Sequence, residues 1–474
     1  MGQKNRWWAL VAVALGSFMT YLDNNVVNVA LPSIQRDLDL SISGLEWIVS
    51  AYVLVFAGLL LAGGRVADVL GKRGAFFAGL GVFTLASAVA GLAQNQEMLI
   101  GARAVQGLGA ALLTPAALAL ITELFPDPRE RGTAIGIWGA VGALALAIGP
   151  LTGGWLSQNA SWGWIFLINV PIAVVTAVLA AVTIPASERG TARGLDLPGL
   201  LTSATALFAL TFALIEGESR GWTSAGILAS FAVAAVAGAT FVIIERRSTA
   251  PMMDLGFLRI RVFSGGLLSM GLWAFGVFGV YFFTAIYLQN VLGFSPTEAG
   301  AAFIPMALLA AALATIAPRL AERFGSGPTV AAGLALMAAA VGGLATQGEG
   351  TTYWGLMPWF LIFGVGSGLL IPLNNVIVSA LPADRAGIAS GMLNVSREIF
   401  GLLGITILGA ILSNRSRAAD GTEMGRFLAG YQSALVVGAI LIAVGVPVAL
   451  FALRRARTAG PEIAVTPQPV PELV

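Results

Sequence analysis

Gly64-Arg65-Val66-Ala67-Asp68-Val69-Leu70-Gly71-Lys72-Arg73 is a charged stretch wedged between two apolar runs. A worn copy, Pro318-Arg319-Leu320-Ala321-Glu322-Arg323-Phe324-Gly325-Ser326-Gly327, recurs in the second half of the chain in the same setting. Arg65 answers to Arg319, Asp68 to Glu322 and Gly71 to Gly325, while the trailing Lys72 and Arg73 become Ser326 and Gly327. A tight charged loop that appears in both halves of an apolar chain points to an internal duplication.

The surroundings of that loop set the solvent. The chain has 474 residues, 57% of them hydrophobic and 11% charged, and its mean hydropathy is +0.86. A soluble domain carries roughly a quarter charged residues, so this chain reads as an all-α membrane protein with the bilayer as its solvent. A net charge of +2 gives no reason to expect nucleic acid. Cysteine and histidine are absent, which excludes disulfides and thiol chemistry and removes the commonest metal ligand. No metal and no cofactor are therefore expected, and proton chemistry falls to carboxylates. No Gly-x4-Gly-Lys-Ser/Thr occurs, so ATP is not the expected energy source within the chain.

Fourteen apolar segments are long enough to span: 8–31, 45–64, 75–93, 98–121, 133–156, 164–184, 197–215, 225–244, 264–288, 299–317, 330–345, 356–378, 388–412 and 431–453. Lys4 and Arg6 precede the first as in a signal peptide, but Asp23 interrupts it and Trp7 and Trp8 flank it, so it reads as a first membrane helix with an aromatic anchor. With the N-terminus in the cytoplasm, most of the 26 Lys and Arg residues fall on the inner side. The outer loops hold Arg36, Arg220, Arg415, Arg417 and Arg426, and Arg103 and Arg397 lie inside spans. That bias predicts both termini cytoplasmic. The three arginines between Ser413 and Ala429 are its one misfit.

A second echo strengthens the duplication: Gly107-Leu108-Gly109 with Leu112-Leu113-Thr114-Pro115 matches Gly364-Val365-Gly366 with Leu369-Leu370-Ile371-Pro372. Both repeats are separated by eight spans rather than six, as two helices inserted between two six-helix bundles would produce. The predicted divisions are a bundle over 1–190, an inserted pair over 191–250, a second bundle over 251–456 and a Pro-rich, disordered cytoplasmic tail over 457–474.

These residues resemble the major facilitator superfamily, and more closely its fourteen-helix drug:proton antiporter branch. Gly64 to Arg73 is similar to the superfamily's loop signature between helices two and three, and Arg103-Ala104-Val105-Gln106-Gly107-Leu108-Gly109 to that of helix four. Leu22-Asp23 with Val27-Asn28-Val29-Ala30-Leu31-Pro32 resembles the helix-one pattern of the branch. Gly136 with Gly149-Pro150-Leu151-Thr152-Gly153-Gly154 resembles the antiporter signature of helix five, with Ala145 where a glycine is expected. Asp196, Gly199 and Gly221-Trp222 resemble the inserted helices. The resemblance covers essentially the whole chain and implies that fold with fourteen helices.

The motifs also carry physical expectations. Gly64, Arg65, Asp68, Gly71, Lys72 and Arg73, with Arg319 and Glu322 in the copy, are expected to form an inner clasp that holds the two halves in one state and releases them in another; the bland alternative is a positive-inside anchor. Gly136, Gly149, Pro150, Gly153 and Gly154 are expected to make a packed hinge in the fifth span, or only ordinary small-residue packing.

Ionisable residues inside a span are functional candidates because each costs at least ~2.5 kcal/mol there. Counted from the outer ends of their spans, Asp23 and Arg103 fall about 12 Å and 8 Å deep, so they can meet. Asp23 is expected to take the proton and Arg103 to control its affinity, with Glu46 as a second proton site; a static buried ion pair is the alternative. Arg397 and Glu398 lie near the midplane, and neighbours about 100° apart on a helix need not pair. The branch usually has a neutral amide after this arginine, so Glu398 is a departure, and it is expected to face a cavity and favour cations. Asn24, Asn28, Asn374 and Asn375 are cavity candidates, and with Asn25 and Asn394 they could equally bond between helices. Ser295-Pro296-Thr297-Glu298 reads as a capping box. Glu216 sits near an outer end, where it could simply be wet.

The expected function is export of amphipathic compounds, cations among them, in exchange for protons by alternating access. A transporter of a physiological lipid or metabolite is the alternative; a membrane-embedded enzyme would need a catalytic constellation that the sequence does not offer, and a passive channel would not need the duplicated clasp or a proton-poised acid. The expected partners are a small-molecule substrate, protons and the lipid bilayer, with the protein a monomer. The alanine and glycine load suits a GC-rich bacterium, so the expected place is its cytoplasmic (inner) membrane.

Overall fold

The computed structural model describes residues 3–185, 196–248, 255–382 and 385–454. Among them the long elements are all helices: α1 (Gln3–Leu38), α2 (Ile42–Leu70), α3 (Lys72–Gly91), α4 (Gln96–Leu124), α5 (Pro128–Asn159), α6 (Trp164–Thr183), α7 (Leu197–Arg220) and α8 (Ala225–Arg247). They continue as α9 (Arg261–Asn290), α10 (Pro296–Phe324), α11 (Ser326–Leu344), α12 (Tyr353–Ser379), α13 (Ala386–Ala418) and α14 (Glu423–Ala452). Thirteen stretches among the described residues are long and apolar enough to cross a membrane. The remaining expected span, 133–156, lies in α5, which is not one of the thirteen but whose 32 residues give it a length of about 48 Å. The chain is a multi-pass membrane protein.

Local sequence explains where the helices begin, break and stop. Ser41, Asn95, Ser224 and Thr422 cap α2, α4, α8 and α14 by accepting from backbone N–H groups of the first turn. The box expected at Ser295 is present: Ser295 N donates to Glu298 Oε2 at 2.8 Å, and Glu298 N donates to Ser295 Oγ at 3.3 Å. Prolines interrupt three spans without ending them, at Ile168 in α6, Phe303 in α10 and residues 369–371 in α12. The duplicated loops are single-residue turns. Gly71 (φ 79°) joins α2 to α3, and Gly325 (φ 93°) joins α10 to α11. Only glycine enters that backbone region freely.

Two boundaries differ from expectation. The first helix runs on through Pro32 to Leu38, held by Arg36 Nε donating to the Pro32 carbonyl and by Gln35 Nε2 donating to the Leu40 carbonyl. Helix α13 extends to Ala418, so Arg415 and Arg417 occupy its last turn. Cations there are favoured by the helix dipole, while Arg426, the third arginine of the misfit, lies in α14.

In the first half α1 packs along α5, and α4 packs on α2 and α3; in the second half α9 packs on α13 and α14, and α11 on α14. The two halves meet through α2 with α13, α5 with α10, and α1 with α9. Of the inserted pair, α7 lies against both α2 and α13, while α8 packs on α7 and leaves most of its apolar surface exposed. A helix that is apolar all round suits lipid contact.

Candidate functional site

Asp23 and Arg103 meet in the middle of the first half. Both side chains are fully buried, and Arg103 Nη1 donates to Asp23 Oδ2 at 2.5 Å. The longer α1 puts Asp23 farther from its helix end than the sequence implied, yet the two still share one level. The other carboxylate oxygen is occupied as well: Asp23 Oδ1 accepts from Gln106 Nε2 at 3.1 Å and from Asn169 Nδ2 at 2.8 Å.

The guanidinium is held from other directions. Arg103 Nε donates to the Ile48 carbonyl at 3.2 Å, and Nη1 donates to Gln106 Oε1 at 3.0 Å. The Tyr52 ring lies 4.3 Å and the Phe166 ring 5.8 Å from its central carbon, so the cation faces π-electron density where no water reaches it. Gln106 also donates to Ser87 Oγ at 2.7 Å. Groups from α1, α2, α3, α4 and α6 therefore converge on one ion pair. Only Arg103 Nη2 and Asn169 Oδ1 of this cluster are left without a hydrogen bond.

This arrangement has a chemical consequence. An ionised Asp23 is satisfied on both oxygens. Both oxygens accept, so every hydrogen bond the cluster makes to Asp23 is one that an ionised carboxylate receives.

The second half contributes its own buried pair. Arg397 Nε and Nη2 both donate to Glu398 Oε1, at 3.0 and 2.9 Å, so the two neighbours do pair. Glu398 is 2% exposed and its Oε2 has no hydrogen bond. A carboxylate this enclosed does not face an open cavity in this state, contrary to the expectation. Tyr21 of α1 stands beside the Arg397 guanidinium. Tyr52 lies within electrostatic reach of Asp23, Arg103 and Glu398. Tyr21 and Tyr52 of the first half thus lie within reach of the second-half pair.

The remaining candidates are placed as follows. Glu46 is buried at the α2–α13 seam against Gly409. Asn24, Asn25, Asn28 and Asn374 are partly buried and Asn375 is exposed. Asn25, Asn374 and Asn394 donate to carbonyls of their own helices. Glu216 is not simply wet: it accepts from Trp47 Nε1 at 2.9 Å and from Arg220 Nε at 3.1 Å, and so pins α7 to α2.

In the loop motif, Lys72 pairs with Glu123 of α4 at 2.8 Å and Arg73 donates to the Ala181 carbonyl of α6 at 3.1 Å. Both partners belong to the same half, so these two charges brace one bundle rather than clasp two. Gly64 is partly buried, and Arg319 and Glu322 are exposed. The side chains of Arg65 and Asp68 and the tail 457–474 lie outside the described residues.

The fifth-helix glycines divide. Gly149 and Gly153 lie against Asn25 and Val26 of α1, and Gly154 against Pro296 of α10, each too close for a Cβ. Gly300 of α10 returns the contact against the Pro150 carbonyl. Thr297 N donates to Gln158 Oε1 at 3.2 Å, and Gln289 Nε2 donates to the Val29 carbonyl at 2.8 Å. The halves are therefore locked together at the end away from Gly71 and Gly325. Gly136 is not part of that lock: it is exposed and a Cβ there would meet nothing. Residues 135–137 are exposed in succession, which leaves most of the α5 circumference bare at the other end.

Sequence reasoning missed Gln106, Asn169, Ser87, Tyr52 and Gly300. Gln106 sat in a quoted motif. Asn169 had one available signal, an amide alone within the apolar run 164–184.

Comparison with known proteins agrees with this architecture. The Major Facilitator Superfamily model matches residues 13–405. The puromycin resistance protein pur8 of Streptomyces alboniger is 38% identical over 452 residues, covering 93% of this chain and 89% of that protein. The methylenomycin A resistance protein of Streptomyces coelicolor is 37% identical over 408 residues, covering 86% of each. The multidrug resistance protein Stp of Mycobacterium tuberculosis is 36% identical over 409 residues, covering 85% and 75%. Among solved structures, an auto-inhibited peptide transporter of the POT family superposes with a TM-score of 0.70 at 15% identity, covering 97% of this chain and 98% of that one. A bacterial homologue of the human lysosomal transporter Spinster gives 0.69 at 18% identity, covering 96% and 98%. These two share the fold.

Proposed function

The chain belongs to the Major Facilitator Superfamily, and from that premise we propose that it is a proton-coupled exporter of amphipathic compounds, cations among them. One observation carries the coupling: a fully buried carboxylate, Asp23, whose two oxygens are both engaged and whose cationic partner is itself held in place. Proton uptake breaks that arrangement, and its restoration expels the proton. Relatives named for resistance to puromycin, methylenomycin A and several drugs support an antibiotic-like substrate over a physiological lipid. Transport rather than enzymatic chemistry is the activity this reading gives the chain.

In this reading 1–190 and 251–456 move as two bundles, 191–250 is the inserted pair, and 457–474 is a cytoplasmic tail. The locked end is the outer one, so the state is closed to the outside; both termini are cytoplasmic and the membrane is the bacterial inner membrane. Gly149, Pro150, Gly153 and Gly154 serve as the outer seal, with Gly136 outside it. Glu46 acts at the α2–α13 seam, and Asn24, Asn28, Asn374, Asn375 and Arg397 line the substrate path. A monomer suffices.

The test is transport in proteoliposomes with an imposed pH gradient. The wild type concentrates a fluorescent amphipathic cation against its gradient. Asp23→Asn retaining full gradient-driven transport removes the proposed role.

A further inference from the structure

We propose that the chain binds the phosphate of an anionic phospholipid in a cavity where the α10–α11 turn meets the end of α14. The cavity has a volume of about 440 Å³ and is walled by Phe324, Ser326, Gly327, Phe451 and Arg454, among others. Its floor is a helix start without a cap. Gly325, at φ 93°, gives way directly to α11, and no side chain accepts from the first turn. Pro328 has no N–H, so the donors presented are those of Ser326 and Gly327, at the positive end of a 19-residue helix.

The second observation is independent of the helix end. Ser326 is 1% exposed, and its Oγ has no hydrogen-bond partner. A buried hydroxyl without a partner is costly, and an anionic oxygen would accept from it together with the neighbouring amides. Arg454 lines the same cavity and is exposed, so its guanidinium is available to a ligand. Glu322 also lines it, but is exposed to solvent, where its charge is screened.

The internal duplication offers a comparison. At the matching turn in the first half, Gly71 is followed by Lys72 and Arg73, which engage Glu123 and the Ala181 carbonyl. In the second copy those positions are Ser326 and Gly327, which carry no such long side chains. The rim selects the source. Phe324 and Phe451 are 59% and 62% exposed beside the cavity, an apolar rim that acyl chains would cover. A phosphate that arrives with acyl chains satisfies both surfaces, whereas free phosphate leaves the rim unused. The proposal is independent of the transport reading.

The experiment is native mass spectrometry of the full-length protein in detergent, titrated with phosphatidylglycerol, phosphatidylcholine or inorganic phosphate. The wild type should retain phosphatidylglycerol in preference to phosphatidylcholine. Ser326→Asp and Arg454→Glu should each weaken that retention by about fivefold. Arg454 is exposed, so its variant decides the matter should Ser326→Asp not fold. Unchanged retention in the folded variants overturns the site, as does equal retention of the two lipids. Displacement of the lipid by excess inorganic phosphate overturns the lipid as the occupant.

Discussion

Cutting the Asp23–Arg103 pair from each side in turn gives a quantitative check on the cluster. Asp23→Asn keeps the shape but removes the charge and leaves Arg103 buried with its ring contacts, the Ile48 carbonyl and Gln106 Oε1. Two unit charges about 4 Å apart interact by roughly 4 kcal/mol at an effective dielectric of 20. Removing one partner of a buried pair typically destabilises by about 3–5 kcal/mol. Arg103→Gln should be milder, at roughly 2–3 kcal/mol, because Gln106 and Asn169 still donate to the stranded carboxylate. The double variant leaves no stranded charge, so its loss should fall short of the sum by about 2–3 kcal/mol. Equilibrium unfolding of the purified protein in mixed micelles, at one pH, measures all three. Additivity to within about 0.5 kcal/mol would mean that the pair does not act as a unit, and the reasoning built on it would fail.

Further outcomes follow from the other contacts. Glu398→Gln should weaken transport of cationic and neutral substrates alike, because the carboxylate is buried against Arg397; selective loss of cations in paired transport assays would return it to the substrate path. Gly300→Val should hold the α5–α10 ends apart, so that a cysteine placed at Gln158 reacts faster with a membrane-impermeant thiol reagent; an unchanged rate would show that Gly300 is not part of the seal. Trp47→Phe removes the hydrogen bond to Glu216 but keeps an aromatic ring, and should cost about 0.5–1.5 kcal/mol, seen as earlier proteolysis between α7 and α8. No change in proteolysis would place the hold of α7 on α2 elsewhere.

The duplicated turn was the most legible feature of the chain, because glycine is the residue that enters a positive φ freely and Gly71 and Gly325 stand in equivalent settings. Asp23 and Arg103 were legible because charge in hydrocarbon demands a partner. Gln106, Ser87 and Asn169 were not, because uncharged polar residues are common in membrane helices and sequence does not say which face they occupy. The same uncertainty misplaced Glu398: depth along a helix can be counted, but rotation about its axis is set by neighbours. Gly136 misled for a related reason, since a small residue permits a close approach without requiring one. The first span was expected to end at Leu31, yet α1 runs on through Pro32 to Leu38, since a proline's missing N–H is tolerated in a membrane helix.

Substrate-triggered proton release from the purified, detergent-solubilised protein tests the coupling most directly. Addition of a transported compound to weakly buffered protein should acidify the medium in the wild type and leave the pH unchanged in Asp23→Asn that still binds the compound. Equal acidification by the two proteins, or none from a wild type that binds, would contradict a mechanism centred on that carboxylate.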